Sequence, residues 1–275
     1  MKRARSAPEP TPSAPSADSN WALLSKRLRA ERVRAVGHAA PLLSPPPPAS
    51  ALRTASPAAA PPDAAVAGAI AAARATVTGP FPAADMLVTG EHTRFVALDC
   101  EMVGVGVDGL RSALARVVVV DWYGRVLLDR HVRPSEIVTD LRTHVSGVTA
   151  AHVSRGEPIA VVQRDVAALL HNRVLVGHGL RNDLKALLLS HSWKEIRDTA
   201  KYQPFCWRAP GGGKWNPSKL KHLALRHLQL EIQVQGAAHE PAEDARAALA
   251  LYKLVRRDWE HSLIAKKEGK KPSGK

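Results

Sequence analysis

Hydrophobic and polar positions change their period several times along the middle of the chain, and each period predicts an element. Residues 95–98 form a short apolar run that is typical of a buried strand. Two β-branched runs follow at 115–121 and 126–132, and the Trp-Tyr-Gly-Arg between them predicts a tight hairpin turn. A further apolar run at 174–176 leads into a glycine pair, which predicts a strand and then a turn.

Helical periods fill the intervals between these strands. Residues 158–170 begin with a proline and repeat apolar positions every 3.6 residues, as an amphipathic helix does. After the glycine pair, leucines at i, i+4, i+7 and i+8 predict one buried stripe on a second helix. These leucines are Leu180, Leu184, Leu187 and Leu188.

Two more helices are predicted nearer the C terminus. One covers 217–230, and the other begins at Pro241 and continues through the apolar-rich residues up to Val255. The order from residue 95 is therefore strand, strand, strand, helix, strand, helix. Such an order predicts an α/β fold in which helices cover a sheet.

The composition changes before this region. Proline, alanine and serine dominate the first 85 residues, with an unbroken proline run at 45–48, and this composition predicts disorder. Inside the segment, Trp21, Leu24 and Leu28 lie at helical spacing among basic residues. Either a basic helix forms there on a partner or on RNA, or the helix is transient and has no dedicated partner.

Charge is also unevenly distributed along the chain, whose net charge is +14. Residues 1–80 carry ten Lys and Arg against four acids, and residues 256–275 carry seven against three. Basic ends favour attachment to a polyanion or import into the nucleus, whereas a plain solvated tail is the alternative. The predicted organisation is a disordered basic region at 1–85, a folded domain at 86–260 and a basic tail at 261–275.

Several classes of protein are disfavoured by the sequence. The charged, proline-rich start does not resemble a secretory signal, and no apolar run approaches the length of a membrane span. Cys100 and Cys206 are the only cysteines, too few for a disulfide framework and without zinc-like spacing. We therefore expect a protein of a reducing compartment with no membrane partner, and nothing in the sequence demands more than a monomer.

The strand that begins at residue 95 carries two acids one residue apart. Because side chains alternate along a strand, Asp99 and Glu101 share one face, while Leu98 and Cys100 point to the packed side. Two adjacent carboxylates repel each other unless a proton or a metal neutralises them, and oxygen ligands suit Mg²⁺ or Mn²⁺. A solvated strand end that happens to carry two acids is the alternative.

Three more polar residues fall near predicted helix starts. Asp183 belongs to a first turn, where the helix dipole alone would also favour an acid. Asp244 falls early in the helix that begins at Pro241, and His239 precedes it in the loop. An imidazole and a carboxylate could thus reach one site from different directions, which makes His239 a candidate general base.

In this order, Asp99, Glu101, Asp183, His239 and Asp244 resemble the DEDDh family of 3'-to-5' exonucleases. The similarity covers roughly residues 93–260, and several segments resemble the RNA exonuclease 4 branch of that family. The matching segments are 97–106 (ALDCEMVGVG), 114–117 (LARV), 142–143 with 145–147, 175–178, 182–185 and 196–199. A run of separate matches in one order is far more specific than any one motif.

The resemblance implies a fold and a set of ligands. The fold would be ribonuclease H-like, a mixed sheet of about five strands flanked by helices. Two ions, Mg²⁺ or Mn²⁺, would be bound, the first by Asp99, Glu101 and Asp244. The second ion would be held by Asp99 and Asp183, and His239 would take the proton from the attacking water.

Other residues near these motifs each have two interpretations. Met102 contacts the terminal nucleotide or packs in the core, and Arg142 contacts a phosphate or ribose or pairs with a local carboxylate. His178 is expected to pack or to support the ligands rather than to bind metal. Asp198 either supports the cleft or caps a turn. Glu243 is assigned to the solvent face, because neighbouring helix residues point about 100° apart.

The resemblance implies a 3'-to-5' exoribonuclease that hydrolyses single-stranded RNA ends, in the processing of ribosomal RNA precursors in the nucleus or nucleolus. Two alternatives are an exonuclease acting mainly on DNA in repair and a non-catalytic scaffold that only grips nucleic acid. All five expected positions carry suitable residues, which argues against the scaffold. The choice between RNA and DNA depends on the surroundings of Met102 and Arg142.

Overall fold

The computed structural model describes residues 64–81, 90–208 and 213–268. The predicted basic helix around Trp21 therefore lies outside the described residues. Within the described part of the chain, no helix is both long and apolar enough to cross a membrane.

A mixed sheet forms the middle layer of the described domain. Its central strand β1 (Phe95–Val105) is antiparallel to β2 (Arg111–Asp121) and parallel to β6 (Val174–Gly177). On its other side, β2 pairs with β3 (Val126–Arg133) as an antiparallel hairpin. Three shorter strands complete it: β4 (Val138–Asp140), antiparallel to the far end of β1, β5 (Glu157–Pro158), parallel to β3, and β7 (Ile196–Asp198), parallel to β6. The strand order is β5-β3-β2-β1-β6-β7, with β4 paired to β1.

Helices lie on both faces of this sheet, and a small separate hairpin follows β7. The hairpin consists of β8 (Cys206–Trp207) and β9 (Asn216–Pro217). The helices are α1 (Ala64–Thr78), α2 (Thr143–Ser146), α3 (Ala150–Arg155), α4 (Ile159–Leu170), α5 (Leu180–Ala186), α6 (Leu220–Leu223), continued by a π-helical turn at Ala224–Leu228, and α7 (Pro241–Glu268). Short 3₁₀ turns occur at Gly90–Arg94, Val107–Gly109, Trp193–Glu195 and Gln203–Phe205.

The alternation of β1 divides the core into two layers. Val96 and Leu98 face α4 and α5, whereas Phe95 and Ala97 face α7 and pack beside Tyr252. A third apolar layer joins α1, α6 and α7. β1 is thus covered on both faces, and its acidic residues face the cleft described below.

Most sequence-predicted elements are confirmed. The α/β class holds, the hairpin joins β2 to β3, and the helix expected at 158–170 begins one residue later at Ile159. Pro241 is the first residue of α7, as the pattern predicted. The sheet has seven strands rather than about five, because β4 and β5 are only three and two residues long and carry too few residues to show a period.

Four expectations were wrong. Residues 217–230 do not form one helix, since Pro217 lies in β9 and α6 has only four residues. Leu188 is not part of a buried stripe but is 73% exposed, because α5 ends at Ala186 and Leu188 adopts a left-handed backbone. The disorder predicted for 1–85 is wrong for Ala64–Thr78, since these residues form α1 and pack on α7. The folded domain does not stop at 260, since α7 continues to Glu268.

Candidate active site

The two acids of β1 lie just beyond the point where β1 and β6 stop pairing. β6 pairs with β1 only from Phe95 to Ala97, so that Asp99 and Glu101 follow directly after the parallel pairing ends. The strand itself does not end there, but continues to Val105 with a shift of register between Glu101 and Met102. Bulges of this kind re-aim side chains beside active sites.

Asp183 is brought to the same place by the β6–α5 connection. It lies in the first turn of α5 and is buried. The turn before α5 is held by Asp198, whose Oδ1 accepts a hydrogen bond of 2.7 Å from the backbone N–H of Gly179. At Gly177 a Cβ would lie only 2.4 Å from Leu180 Cδ2 and 3.0 Å from the Leu98 carbonyl oxygen, so that glycine permits this close approach of α5 to β1.

Asp244 and His239 arrive from the start of α7 and the loop before it. His239 Nδ1 lies 3.7 Å from Asp244 Oδ2, which also accepts a hydrogen bond of 2.8 Å from Gln233 Nε2. The other oxygen, Asp244 Oδ1, is buried and has no hydrogen-bond partner among the described residues. A buried carboxylate oxygen without a partner is costly, and a cation beside it would remove that cost.

Two contacts fix the His239 loop on the domain. The backbone N–H of His239 donates to the Val145 carbonyl at 2.7 Å. Arg116 Nη2, on β2, lies 3.0 Å from Glu240 Oε1 and 2.8 Å from Asp129 Oδ2. Arg116 therefore ties the residue after His239 to the sheet.

Burial raises the pKa of every carboxyl in the group, and repulsion within the group adds to this for Asp99 and Glu101. Burial, joined by the charge of Asp244 and opposed by Arg116, raises the pKa of Glu101 to about 8. Burial raises the pKa of Asp183 to about 7 and that of Asp244 to about 7. Burial and then Asp183 raise the pKa of Asp99 well above its usual range. Such a group is costly to ionise without a compensating positive charge.

These residues fit a divalent cation. Ligand atoms of Glu101, His239 and Asp244 all lie within 4.8 Å of one another. Carboxylate oxygens are the ligands preferred by hard divalent ions, and Asp244 Oδ1, which accepts no hydrogen bond from the described residues, is free to bind one. Asp99 and Asp183 interact electrostatically at the same site, so that all four predicted acids converge.

Two cavities meet at these acids. A cavity of about 280 Å³ is lined by Glu101, Lys219, His239 and Asp244 together with Asp99. A second cavity of about 820 Å³ also reaches Asp99 and continues past Met102, Asn182 and Asp183. The acids are thus reached from both cavities.

Met102 and Arg142 have different surroundings. Met102 lines the larger cavity and also packs against the core, so that both of its interpretations remain compatible with the fold. Arg142 is held locally: Nη1 donates to Ser112 Oγ at 2.9 Å, Nη2 donates to the Gly109 carbonyl at 2.8 Å, and Nε lies 3.8 Å from Asp140 Oδ2. A substrate contact of Arg142 stays a prediction.

The supporting residues are also placed. His178 lines both cavities, and its Nδ1 lies 2.9 Å from Thr199 Oγ1. Asp198, the last residue of β7, accepts hydrogen bonds at Oδ1 from the backbone N–H groups of Gly179 and Ala200 and so supports the turn before α5. Glu243 is half-buried and lies outside the donor group that contains Asp244. Gln233 was not predicted, because a single glutamine in an irregular loop follows no pattern.

Comparisons with known proteins agree with this geometry. A family model that describes exonucleases matches residues 96–252. RNA exonuclease 4 of Xenopus laevis is 45% identical over 196 residues, which cover 70% of this chain and 45% of the relative. RNA exonuclease 4 of Homo sapiens is 49% identical over 171 residues, which cover 62% of this chain and 39% of the relative. The chain thus spans less than half the length of these two relatives.

A solved structure supports the fold. The Saccharomyces cerevisiae Pan2 pseudoubiquitin hydrolase–RNA exonuclease module, in complex with A7 RNA, is 28% identical to this chain with a TM-score of 0.52. The similarity covers 67% of this chain and 32% of that one. The described sheet and its helices therefore have a counterpart in a module whose structure contains RNA.

Proposed function

Because the chain belongs to the DEDDh exonuclease family, with RNA exonuclease 4 proteins as similar relatives, we propose that it is a metal-dependent 3'-to-5' exoribonuclease acting on single-stranded RNA ends. The observation that carries the proposal is the convergence of four buried or half-buried acids and His239 around a carboxylate oxygen without a partner. The names of the relatives and the RNA bound in the Pan2 structure favour RNA over DNA.

The roles proposed for the residues are those that the family resemblance implies, and the convergence of these residues supports them. Asp99, Glu101 and Asp244 would hold one divalent ion, and Asp99 and Asp183 a second. Bound ions of this kind stabilise the attacking and leaving oxygens of an in-line displacement at phosphorus. Gln233 holds one oxygen of Asp244, which leaves the other free for a ligand.

His239 is suited to accept the proton of the attacking water. Burial and then the charge of Lys221 lower the pKa of His239 below its usual 6.5. The imidazole is therefore neutral near pH 7 and able to take a proton. Its backbone bond to Val145 and the Arg116 contact of its neighbour Glu240 keep the ring at the edge of the smaller cavity.

We extend the proposal to the setting of the enzyme. Mg²⁺ is the proposed ion, or Mn²⁺ in its place, because the donors are mainly carboxylate oxygens. The proposed substrates are precursors of ribosomal RNA in the nucleus or nucleolus, supported by the basic residues at both ends of the chain. A monomer is proposed, because all five catalytic positions come from one chain.

The test is a cleavage assay with matched 5'-labelled RNA and DNA single strands, in Mg²⁺, in Mn²⁺ and in chelator. We expect a metal-dependent ladder that shortens from the 3' end, is faster on RNA, and is absent with Asp99→Asn. Asp165→Asn, on the outer part of α4 beside Arg164, is the matched control and should cleave normally. Full activity of Asp99→Asn would refute the metal assignment, and faster cleavage of DNA would assign the enzyme to DNA.

A further inference from the structure

The β8–β9 hairpin carries exposed aromatic and basic side chains that the proposed mechanism does not use. Trp207 and Trp215 are 53% and 41% exposed. The guanidinium carbon of Arg208 lies 5.1 Å from the centroid of the Trp215 ring, so that the two side chains form a cation–π pair. Exposed tryptophan surface of this kind is enriched at binding sites.

This hairpin leads directly into the candidate active site. β9 ends at Pro217, the backbone of the next residue, Ser218, hydrogen-bonds His178, and Lys219 then lines the cavity that contains His239. Lys219 is four positions after Trp215, which limits the distance between their Cα atoms to about 14 Å even for an extended chain. Trp215 therefore lies within about this distance of a residue that lines the smaller cavity, and Arg208 lies beside Trp215.

The segment around the hairpin is uniformly basic. Between Asp198 and Glu231 the chain carries six Lys and Arg residues and no acid. Lys214 and Lys219 are exposed, next to Trp215 and to the cavity respectively. The domain as a whole is nearly balanced in charge, so this segment is a local exception and favours a polyanion at this position.

We propose that Arg208 and Trp215 form a subsite for the RNA strand upstream of the 3' end, in which Trp215 stacks on a nucleobase while Arg208 and Lys214 contact phosphates. The proposal rests on the proposed exoribonuclease function. Proteins that bind single strands without sequence preference combine basic grooves with aromatic rings in this way, because every base has a π-face. The subsite would hold a strand of any sequence while its end is cleaved.

Trp193 provides a matched control within the same protein. It is 78% exposed, and Lys194 Nζ lies 5.8 Å from its ring centroid, so that it is also an exposed tryptophan paired with a cation. It precedes β7, however, whereas Asp198 at the other end of β7 lies beside the active site. Trp193 thus lies at the end of β7 that faces away from the candidate active site, where the RNA is not expected to pass.

The experiment measures kcat/KM of the full chain on 5'-labelled single-stranded RNAs from a dinucleotide upward. Stacking on one aromatic ring is worth enough that Trp215→Leu should lower kcat/KM on long RNAs by about 5- to 150-fold. Cleavage of the dinucleotide should be unchanged, because it does not reach the subsite. Trp215→Phe should retain most of the activity, and Trp193→Leu all of it.

Two results would overturn the subsite: an unchanged rate of Trp215→Leu on long RNA, or an equal loss on the dinucleotide. If Trp215→Leu unfolds, Arg208→Lys keeps the proposal testable, because it retains the positive charge while it removes the guanidinium that stacks on Trp215 and bonds the Gly213 carbonyl, and it should still weaken the cleavage of long RNAs selectively. Binding of fluorescent RNA in chelator separates this proposal from the exonuclease assignment. A chain that binds RNA through Trp215 but never cleaves it would retain the subsite and refute the enzyme.

Discussion

The buried carboxyl groups of the site are costly to ionise. Glu101, Asp183 and Asp244 each bind a proton more tightly in the folded chain than in water, mainly because they are buried. This cost is expected where binding a cation is the function, since the same arrangement that penalises the bare carboxylates favours the metal-bound state.

The stability of the metal-free chain should therefore fall as the pH rises. The pKa of Glu101 rises from 4.5 to about 8 on folding, so that the folded state binds more protons than the unfolded state between these values. The stabilising contribution is complete below pH 4.5 and is lost as the pH passes 8. In chelator, we expect Tm to decline less steeply between pH 5 and 8 for Glu101→Gln than for the wild type. Added Mg²⁺ should reduce the decline of the wild type.

A control and a contrary outcome are available for this measurement. Asp165→Asn changes an acid outside the site and should leave the slope of Tm against pH as in the wild type. If Glu101→Gln shows the wild-type slope, Glu101 does not carry the raised pKa.

His239→Ala should lower kcat with little change in KM. Loss of a general base typically costs about 10²- to 10⁴-fold in rate. Because the pKa of His239 lies below 6.5, the wild-type rate should decline only in mildly acidic solution, and this limb should disappear in the variant. His171→Ala, an exposed histidine before β6, is the control. Rescue of His239→Ala by more Mg²⁺ would show instead that His239 binds the metal.

Residues that follow a strand or helix period could be placed from the sequence. Asp99 and Glu101 share a face because β1 alternates, and Asp244 follows a helix start marked by Pro241. Gln233 reaches Asp244 through a left-handed backbone in an irregular loop, which no period encodes. The tie from Arg116 to Glu240 joins residues 124 positions apart and depends on the finished fold.

At the level of elements, α1 is the largest departure from the sequence prediction. Its alanine-rich composition resembles the low-complexity segment before it, yet Ala73 and Val77 are buried against α6 and α7. Lys253 Nζ, on α7, donates to Thr76 Oγ1 at 2.9 Å. The burial that stabilises α1 comes from elements distant in the sequence, as the 177 positions between Thr76 and Lys253 show, so its own sequence could not reveal it.

Removal of α1 should therefore destabilise the catalytic domain. A chain that starts at residue 64 should have the same urea midpoint as the full chain. A chain that starts at residue 82 should lose at least about 2 kcal/mol of unfolding free energy, because burial of Val77 alone is worth about 1.5–3 kcal/mol. Equal midpoints for the two shortened chains would show that α1 does not contribute to the fold.

Two helix predictions failed because the chain leaves the helix while the hydrophobic period continues. Leu188 keeps the spacing of Leu184, but its φ of 54° ends the helix. The segment after Leu220 changes from α6 to a π-helical turn and stops at Gln229, whose φ is also 54°. Periodicity predicts which face is apolar, whereas packing decides where the helix ends.

At the scale of the whole molecule, the basic N-terminal residues and the candidate active site occupy different parts of the chain. Residues 1–63 carry nine Lys and Arg against four acids, ahead of the described domain that holds the candidate active site. A separate basic segment can hold a long polyanion near a site without taking part in the chemistry.

Removal of residues 1–63 should leave the cleavage of short RNA unchanged and weaken the binding of long RNA. The slope of log Kd against log salt should become shallower, by about 0.7 for each phosphate contact that is lost. Fluorescence anisotropy at several salt concentrations measures both quantities. An unchanged slope would mean that the segment has no part in RNA binding and would leave only a targeting role for it.

The close approach at Gly177 has an evolutionary consequence. A Cβ there would lie 2.4 Å from Cδ2 of the buried Leu180 and 3.0 Å from the Leu98 carbonyl oxygen, so a side chain at this position requires Leu180 to move or to be replaced. Gly179 differs, since a Cβ there meets nothing within 4 Å and only its left-handed φ of 78° restricts replacement. Over the history of this lineage we expect position 177 to stay fixed, or to change only together with position 180, while the changes at position 179 are limited by its backbone conformation and not by its neighbours.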